Sequence, residues 1–415
     1  MLWYPIQGAM MKNFDFKFLL PVVLAVIIGV IVSIAVQGFI SFVSFVESYL
    51  RGDNHLLFGL PKSILLVSGP IIAGIIVAFI YKLANLSRWH GPAESILAAH
   101  VPSQRPNTEA GLLSTLASAV SLAGGASVGQ YGPLVHFGGV IGDYFSKLTR
   151  DQTSPHILLA SGAAAAISSG FGAPFAGLVF AHEVIVRHFS LKAVAPILIS
   201  SVVAHTVSTE FYSSDPLLQS TVGGIGTFYE IPLLAILGII AALIACLYMR
   251  GLTGKFPIPK RMPSYFLPII AGIICGVVGL FLPETLGLGT SFIRDLIENP
   301  INLNYVIFLL IGKTFLTIIC IRFNLFGGIF SPALFLGATT GCIFATLSQY
   351  FFPDLNYFMS WKEAIKDADG VAIMTEWNEF RGISLSSLKS LLKSPIILDT
   401  RNIFSIENLE KNNFK

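Results

Sequence analysis

Charge is scarce in this chain. Asp, Glu, Lys and Arg make up 12% of its 415 residues, about half of the roughly 25% usual in a soluble domain. With 54% hydrophobic residues and a mean hydropathy of +0.74, that scarcity excludes an ordinary soluble globule and places most of the chain in lipid. The formal net charge of +3 is too small to point to nucleic acid or to an acidic substrate. Cysteine is also sparse. Cys246, Cys275, Cys320 and Cys342 lie in or beside apolar runs, with no CxxC spacing and no histidine at ligand spacing. They read as small buried hydrophobes rather than as metal ligands or a disulfide framework. No small-residue cleavage site marks the first apolar run as a signal peptide, so it reads as an anchor that stays.

What the chain has in abundance is long apolar segments. Runs at 16–50, 63–84, 191–210, 230–249, 264–282 and 304–322 are each long enough to cross about 30 Å of hydrocarbon at about 1.5 Å per residue. The first exceeds that need and is expected to tilt. Shorter apolar stretches near 108–123, 133–146, 156–169, 173–186 and 330–350 are broken by Gly and Pro and read as too short or too interrupted for simple spans. Non-helical backbone at membrane depth is tolerated only where it is buried in protein or lines a watery cavity, so many broken half-helices point to a channel or transporter interior. A receptor or simple anchor would not need them.

Two segments correspond. Ser121 to Gly142 reads SLAGGASVGQYGPLVHFGGVIG and Ile321 to Gly341 reads IRFNLFGGIFSPALFLGATTG. Each has a Gly-Gly pair and then a proline opening an apolar helix, as an internal repeat leaves behind. In Gly129-Gln130-Tyr131-Gly132-Pro133 the proline suits a first helical turn, and the glycines clear space around the backbone N–H groups. The result is a helix N-terminus with unpaired donors and about half a positive charge in a low dielectric, an anion site that needs no cationic side chain. Gly328-Ile329-Phe330-Ser331-Pro332 repeats the device and is expected to aim a second helix N-terminus at the same point. Amide dipoles bind an anion weakly enough to release it, as conduction requires.

With these loops the chain resembles the chloride channel/transporter (CLC) family over residues 16–355. That family builds its anion pathway from a GxxGP loop, a GxFxP loop and an earlier GSGxP-type loop. The first two stand here as Gly129–Pro133 and Gly328–Pro332. His90-Gly91-Pro92-Ala93-Glu94 is a weaker match to the third, with His90 near the position of the family's chloride-contacting serine; a capping or surface role for His90 is the alternative. Ala173-Pro174-Phe175-Ala176-Gly177, Phe180 and Glu183 are similar to the family's APLAG helix, and Leu286-Gly287-Leu288-Gly289 to its later glycine turn. The resemblance implies transport of chloride or another small anion across a lipid bilayer by a homodimer, with both termini cytoplasmic, as Lys12 and Lys17 before the first span agree. A bacterial inner membrane is the expected location.

Two departures bear on mechanism. Exchanger members carry a glutamate where Tyr131 stands. A phenol, with an ordinary pKa near about 10, supplies no carboxylate at neutral pH; it can plug, swing or donate a hydrogen bond, which makes Tyr131 the gate candidate. The family's inner proton-relay glutamate aligns with Val184, which carries no proton. Glu183 beside it reads as structural, hydrogen-bonded to backbone at a helix end, and His182 as a packing residue. Proton-coupled antiport is expected to be lost, leaving a channel-like pathway.

From Trp361 to Lys415 eight Lys/Arg and eight Asp/Glu raise the charge density about threefold. Strands are expected at 370–374 and 395–399, with a helix marked by Leu385, Leu388, Leu391 and Leu392 between them. This soluble βαβ tail, at 356–415, resembles over 357–407 the C-terminal domain of UDP-glucose/GDP-mannose 6-dehydrogenases, on the strings AIKDADGVA (364–372), TEWNEF (375–380) and DTRN (399–402). No GxGxxG opens a cofactor domain and no catalytic cysteine sits in a glycine-rich loop, so the reading is not an enzyme and names no cofactor or metal. The expected fold is an all-α polytopic membrane protein of CLC type at 1–355, with inverted repeats and broken half-helices, lacking its last helices and joined to the small α/β tail. Two alternatives stand beside anion transport: a fused or truncated product that does not conduct, and a membrane-tethered module binding a nucleotide sugar or NAD.

Overall fold

The structure is a computed structural model that describes residues 16–51, 61–86, 88–101, 103–187, 191–212, 230–254, 263–298, 301–351, 360–373, 380 and 382–414. By contact density the chain falls into two compact units, Met1–Val222 with Pro232–Phe344, and Gly223–Ile231 with Ala345–Lys415. The boundary expected at 355–356 lies outside the described residues.

The first unit is helical. α1 (Phe16–Arg51), α2 (Lys62–Ala84), α8 (Leu191–Tyr212), α9 (Glu230–Thr253), α10 (Leu267–Phe281, entered through a 3₁₀ turn) and α12 (Leu303–Arg322) account for the six expected spans. Between them lie α3 (Pro92–His100), α4 (Thr108–Ala123), α5 (Tyr131–Leu148), α6 (Pro155–Phe171), α7 (Pro174–Phe180) and α11 (Thr290–Glu298). Local chemistry sets their ends. Pro92, Pro155 and Pro174 each open a helix, where the missing N–H costs nothing. Asn107 Oδ1 accepts from Ala110 N–H to cap α4, and Gly172, at φ 68°, closes α6 in the left-handed region.

One segment differs from expectation. The 330–350 stretch, read as interrupted, is a continuous 22-residue helix, α13 (Phe330–Phe351), and makes a seventh candidate span. Its Gly337 and Gly341 face open space, with nothing within 4 Å of a Cβ added at either, so they break no helix. The cysteines differ too. Cys275 and Cys320 are buried, whereas Cys246 is exposed and Cys342 only half-buried.

Lipid offers no hydrophobic drive between helices, so close approach and polar stitching hold them together. Gly138 and Gly142 on α5 face Gly162 and Leu158 on α6, and a Cβ on any of these three glycines would run into the opposite backbone. Gly74 on α2 meets α10 at Pro268 O, and Gly276 on α10 meets Val67 O in the same way. Serines then cross between helices. Ser33 Oγ donates to Ala204 O (2.8 Å), Ser168 Oγ to Ser201 O (2.6 Å) and Ser200 Oγ to Ser161 O (3.1 Å), while Gln37 Nε2 donates to Ser169 O (2.8 Å). These buried hydroxyls and amide are thereby satisfied inside a medium that offers no water.

The second unit carries the tail. β1 (Val371–Ile373) pairs in parallel with β2 (Ile397–Asp399), Ala372 opposite Leu398. α15 (Leu385–Leu391) lies between them in sequence; α14 (Trp361–Ile365) precedes and α16 (Ile406–Lys411) follows. Ile365, Ile383, Leu388 and Phe414 form its buried core. The parallel pair with a helical crossover is the expected βαβ arrangement. Of the TEWNEF string all but Phe380 falls outside the described residues, as does Lys12.

The α5–α6 contact makes a stability prediction. Gly162→Val overpacks a backbone-to-backbone contact and is expected to cost about 1–3 kcal/mol, seen as a lower melting temperature of the detergent-solubilised protein. Gly337→Ala, with open space around it, is expected to leave that temperature unchanged.

Candidate functional site

The two glycine-proline loops meet. Gly129 and Gly328 form an antiparallel bridge: Gly129 N–H donates to Gly328 O (2.6 Å) and Gly328 N–H to Gly129 O (2.5 Å). An antiparallel bridge is locally two-fold symmetric, and here it joins corresponding residues of the two repeats. A dyad passing between equivalent glycines is the arrangement an inverted repeat generates. The glycines are required for close approach. A Cβ on Gly129 would lie 2.9 Å from Ser331 Oγ and 3.1 Å from Gly328 O, and one on Gly328 would lie 3.0 Å from Gly132 N.

Two residues past each bridging glycine a helix begins, α5 at Tyr131 and α13 at Phe330. The prolines therefore sit at the third helical position of each, within the expected first turn. Pro133 and Pro332 contribute no N–H, and the bridge consumes those of Gly129 and Gly328. The N–H groups left without an acceptor among the described residues are three per loop: Gln130, Tyr131 and Gly132, and Ile329, Phe330 and Ser331. Ser331 Oγ joins them as a buried donor with no partner among the described residues, while the buried Gln130 Oε1, an acceptor that also lacks one, offers an anion nothing. Six amides, a hydroxyl and two helix N-termini of positive polarity favour an anion.

Tyr131 is 3% exposed. Its ring stacks on Phe171 at 3.7 Å between centroids and meets Phe330 edge-on at 6.0 Å, while its hydroxyl donates weakly to Gly170 O (3.4 Å). The corresponding residue of the second loop, Phe330, is 49% exposed. The phenol is thus clamped against the C-terminal end of α6.

The third loop packs beside the first: Pro92 Cγ lies 3.7 Å from a Cβ placed on Gly132. Its helix N-terminus is already occupied, since Glu94 Oε2 accepts from Gly91 N–H (2.7 Å) and Glu94 pairs with Arg88 (2.8 Å). His90 is half-buried and caps nothing with its side chain. Its main-chain N–H donates to Ser114 Oγ (2.9 Å), its ring lies 6.2 Å from that of His136 on α5, and its Nδ1 is buried without a partner among the described residues. Val184 lies in a π-helical turn, Ala181–Val186, continuing α7. It is half-buried, His182 is buried, and Glu183 is exposed rather than sunk against backbone.

Sequence reasoning passed over two residues that hold the loops. Lys313 on α12 is wholly buried; its Nζ donates to Thr285 O (3.0 Å) and Gly287 O (2.6 Å) and lies 5.3 Å from the Phe335 ring centroid. Gly287 N–H in turn donates to Gly125 O (3.1 Å), just upstream of the first loop. Tyr248 on α9 is 4% exposed and donates to Ile329 O (3.3 Å) in the second loop. A lone lysine within an apolar run was the available clue, because an ionisable group there is seldom idle.

The profile of the voltage gated chloride channel family matches residues 69–366, well over half of the chain. The chain belongs to the CLC family. It is 26% identical over 343 residues to the voltage-gated ClC-type chloride channel ClcB of Escherichia coli, covering 80% of this chain and 81% of that one. To the H(+)/Cl(-) exchange transporter ClcA of Vibrio cholerae it is 28% identical over 246 residues, 57% of this chain and 53% of that one. Among solved structures, a slow cyanobacterial Cl-/H+ antiporter superposes with TM-score 0.70 at 23% identity, over 80% of this chain and 81% of that one. A CLC-type fluoride/proton antiporter gives 0.64 at 20%, over 81% and 83%. A second profile, the UDP binding domain of the UDP-glucose/GDP-mannose dehydrogenase family, matches residues 345–406 and so overlaps the end of the first. The protein is a multi-pass integral membrane protein of the CLC family, carrying a fragment of that second domain.

Lys313 gives a test of the scaffold. Lys313→Met leaves the Thr285 and Gly287 carbonyls unpaired, at about 1–3 kcal/mol for each buried group, and is expected to lower the detergent melting temperature by several degrees. An unchanged temperature would show that the ammonium is not needed there.

Proposed function

We propose that this CLC protein passes chloride or a similar small anion through the point where the N-termini of α5 and α13 meet, and does so without carrying protons. The observation that carries the reading is the Gly129–Gly328 bridge, because it fixes two helix N-termini together and leaves the amides of Gln130–Gly132 and Ile329–Ser331 to face an anion. Ser331 Oγ adds a donor that has no protein acceptor among the described residues. His90, beside the first loop, is assigned the entrance to this site, and Gly132, Pro133 and Pro332 shape its walls.

Absence of coupling follows from chemistry at two positions. A carboxylate can compete with chloride for the amides and carry a proton away; the Tyr131 phenol does neither at neutral pH, and Val184 has no titratable group at all. The named relatives include both a channel and exchange transporters, so the residues at these two positions are the discriminating feature. Tyr131, clamped between Phe171 and Phe330, acts as a plug whose removal opens the pathway. The working unit is a homodimer, as in the family resemblance.

The βαβ tail supports a second, separate role. Its match to a UDP binding domain favours weak contact with a nucleotide sugar or NAD, which calorimetry with UDP-glucose and with NAD on the full chain would register as heat.

Reconstituted into liposomes under a chloride gradient, the protein is expected to release chloride while the internal pH stays constant. Tyr131→Ala is expected to speed the release several-fold. Uphill proton movement driven by the chloride gradient would contradict the uncoupled reading; no chloride release from either protein would favour a non-conducting product.

A further inference from the structure

Cys275 on α10 and Cys320 on α12 are wholly buried, and their Sγ atoms lie 3.3 Å apart. Forty-five positions separate them in sequence, so no spacing motif announces the pair. A disulfide needs its sulfurs about 2.05 Å apart, so closing this one takes a shift of only about 1.2 Å, the scale of a side-chain adjustment. Buried single thiols are inert; two in contact are a different chemical object, since each can take the place of the leaving group on the other once an oxidant has attacked.

The surroundings tie the pair to both loops. Ser127 Oγ meets Thr317 Oγ1, three residues before Cys320 on α12, at 3.3 Å; Ser127 is two residues ahead of Gly129. On the other side the Cys320 carbonyl accepts from Leu325 N–H (2.9 Å), three residues ahead of Gly328. Cys320 therefore holds the approach to the second loop through its main chain, and Thr317 on the same helix meets the approach to the first.

We propose that Cys275 and Cys320 form a redox-active dithiol that oxidises to a disulfide between α10 and α12, and that the bond changes anion flux by shifting the segment of α12, Thr317 to Cys320, that holds both lead-ins. In the net step two S–H bonds break and one S–S bond forms; two protons leave, and two electrons pass to the oxidant. The oxidant proposed is a lipid-soluble quinone, which is reduced to the quinol. Diamide serves in vitro, its N=N bond taking up both electrons and both protons to become a hydrazine. The disulfide chemistry stands apart from the proposed transport; the effect on flux rests on it.

The full chain in detergent is treated with diamide or with a soluble quinone, denatured, alkylated with N-ethylmaleimide and mapped by mass spectrometry. Two of its four thiols are expected to become unreactive, with the Cys275 and Cys320 peptides joined and lighter by two hydrogens, and dithiothreitol is expected to restore them. Cys275→Ser and Cys320→Ala are expected to keep all their remaining thiols alkylatable. Four alkylatable thiols after both oxidants, or a link through Cys246 or Cys342, would overturn the site. In proteoliposomes, oxidation is expected to change chloride efflux several-fold in the parent and not in Cys275→Ser. A disulfide that forms with efflux unchanged would overturn the link from α12 to the loops, and that result reads separately from a protein that passes no chloride at all.

Discussion

Everything around the candidate site depends on two hydrogen bonds between glycines. Gly129 and Gly328 exchange N–H···O bonds at 2.6 and 2.5 Å, and by doing so they fix where α5 and α13 begin. Ordinary loops would spread their donors among several acceptors. Here the bridge satisfies one N–H per loop, proline removes another, and the remaining three in each loop are left pointing away from protein acceptors. Such unsatisfied donors are costly in a membrane interior, so they persist only where something else, an anion or water, meets them.

The rest of the membrane unit serves to keep that bridge in place. Lys313 pins the turn at Thr285 and Gly287, and Gly287 pins Gly125. Tyr248 holds Ile329. Behind α5, backbone-to-backbone packing of Gly138, Gly142 and Gly162 lets α6 approach closely enough for Phe171 to stack on Tyr131. The ring's stacking partner comes from α6, while the amides are set by the bridge to the second loop. A change at residue 131 can alter access without dismantling the site.

Much of this was legible in the sequence for a simple reason: the governing features are local. Apolar runs declare spans, and a proline a few residues after a glycine declares a helix start. The misreading of 330–350 came from weighing Gly337 and Gly341 as breakers, when glycine inside a long apolar run stays helical because its apolar neighbours keep water from competing for the backbone hydrogen bonds. What was hidden is what depends on distance in space. The glycine spacing is required by contacts across the bridge, with φ ordinary at Gly129, Gly132 and Gly328. Lys313 finds its acceptors 26 and 28 positions away, and Cys275 meets Cys320 across two helices. Glu94 is a further case. The third loop is the weaker match in sequence, and its own carboxylate occupies the helix N-terminus, which sets it apart as a support for His90 and Pro92.

The central claim is that backbone amides of two facing helix N-termini hold the anion. Anomalous diffraction from crystals grown in bromide tests it directly. The account predicts a bromide peak within hydrogen-bonding distance of the Gln130–Gly132 and Ile329–Ser331 amides; a well-ordered bridge with no peak there, and bromide bound only elsewhere, would contradict it.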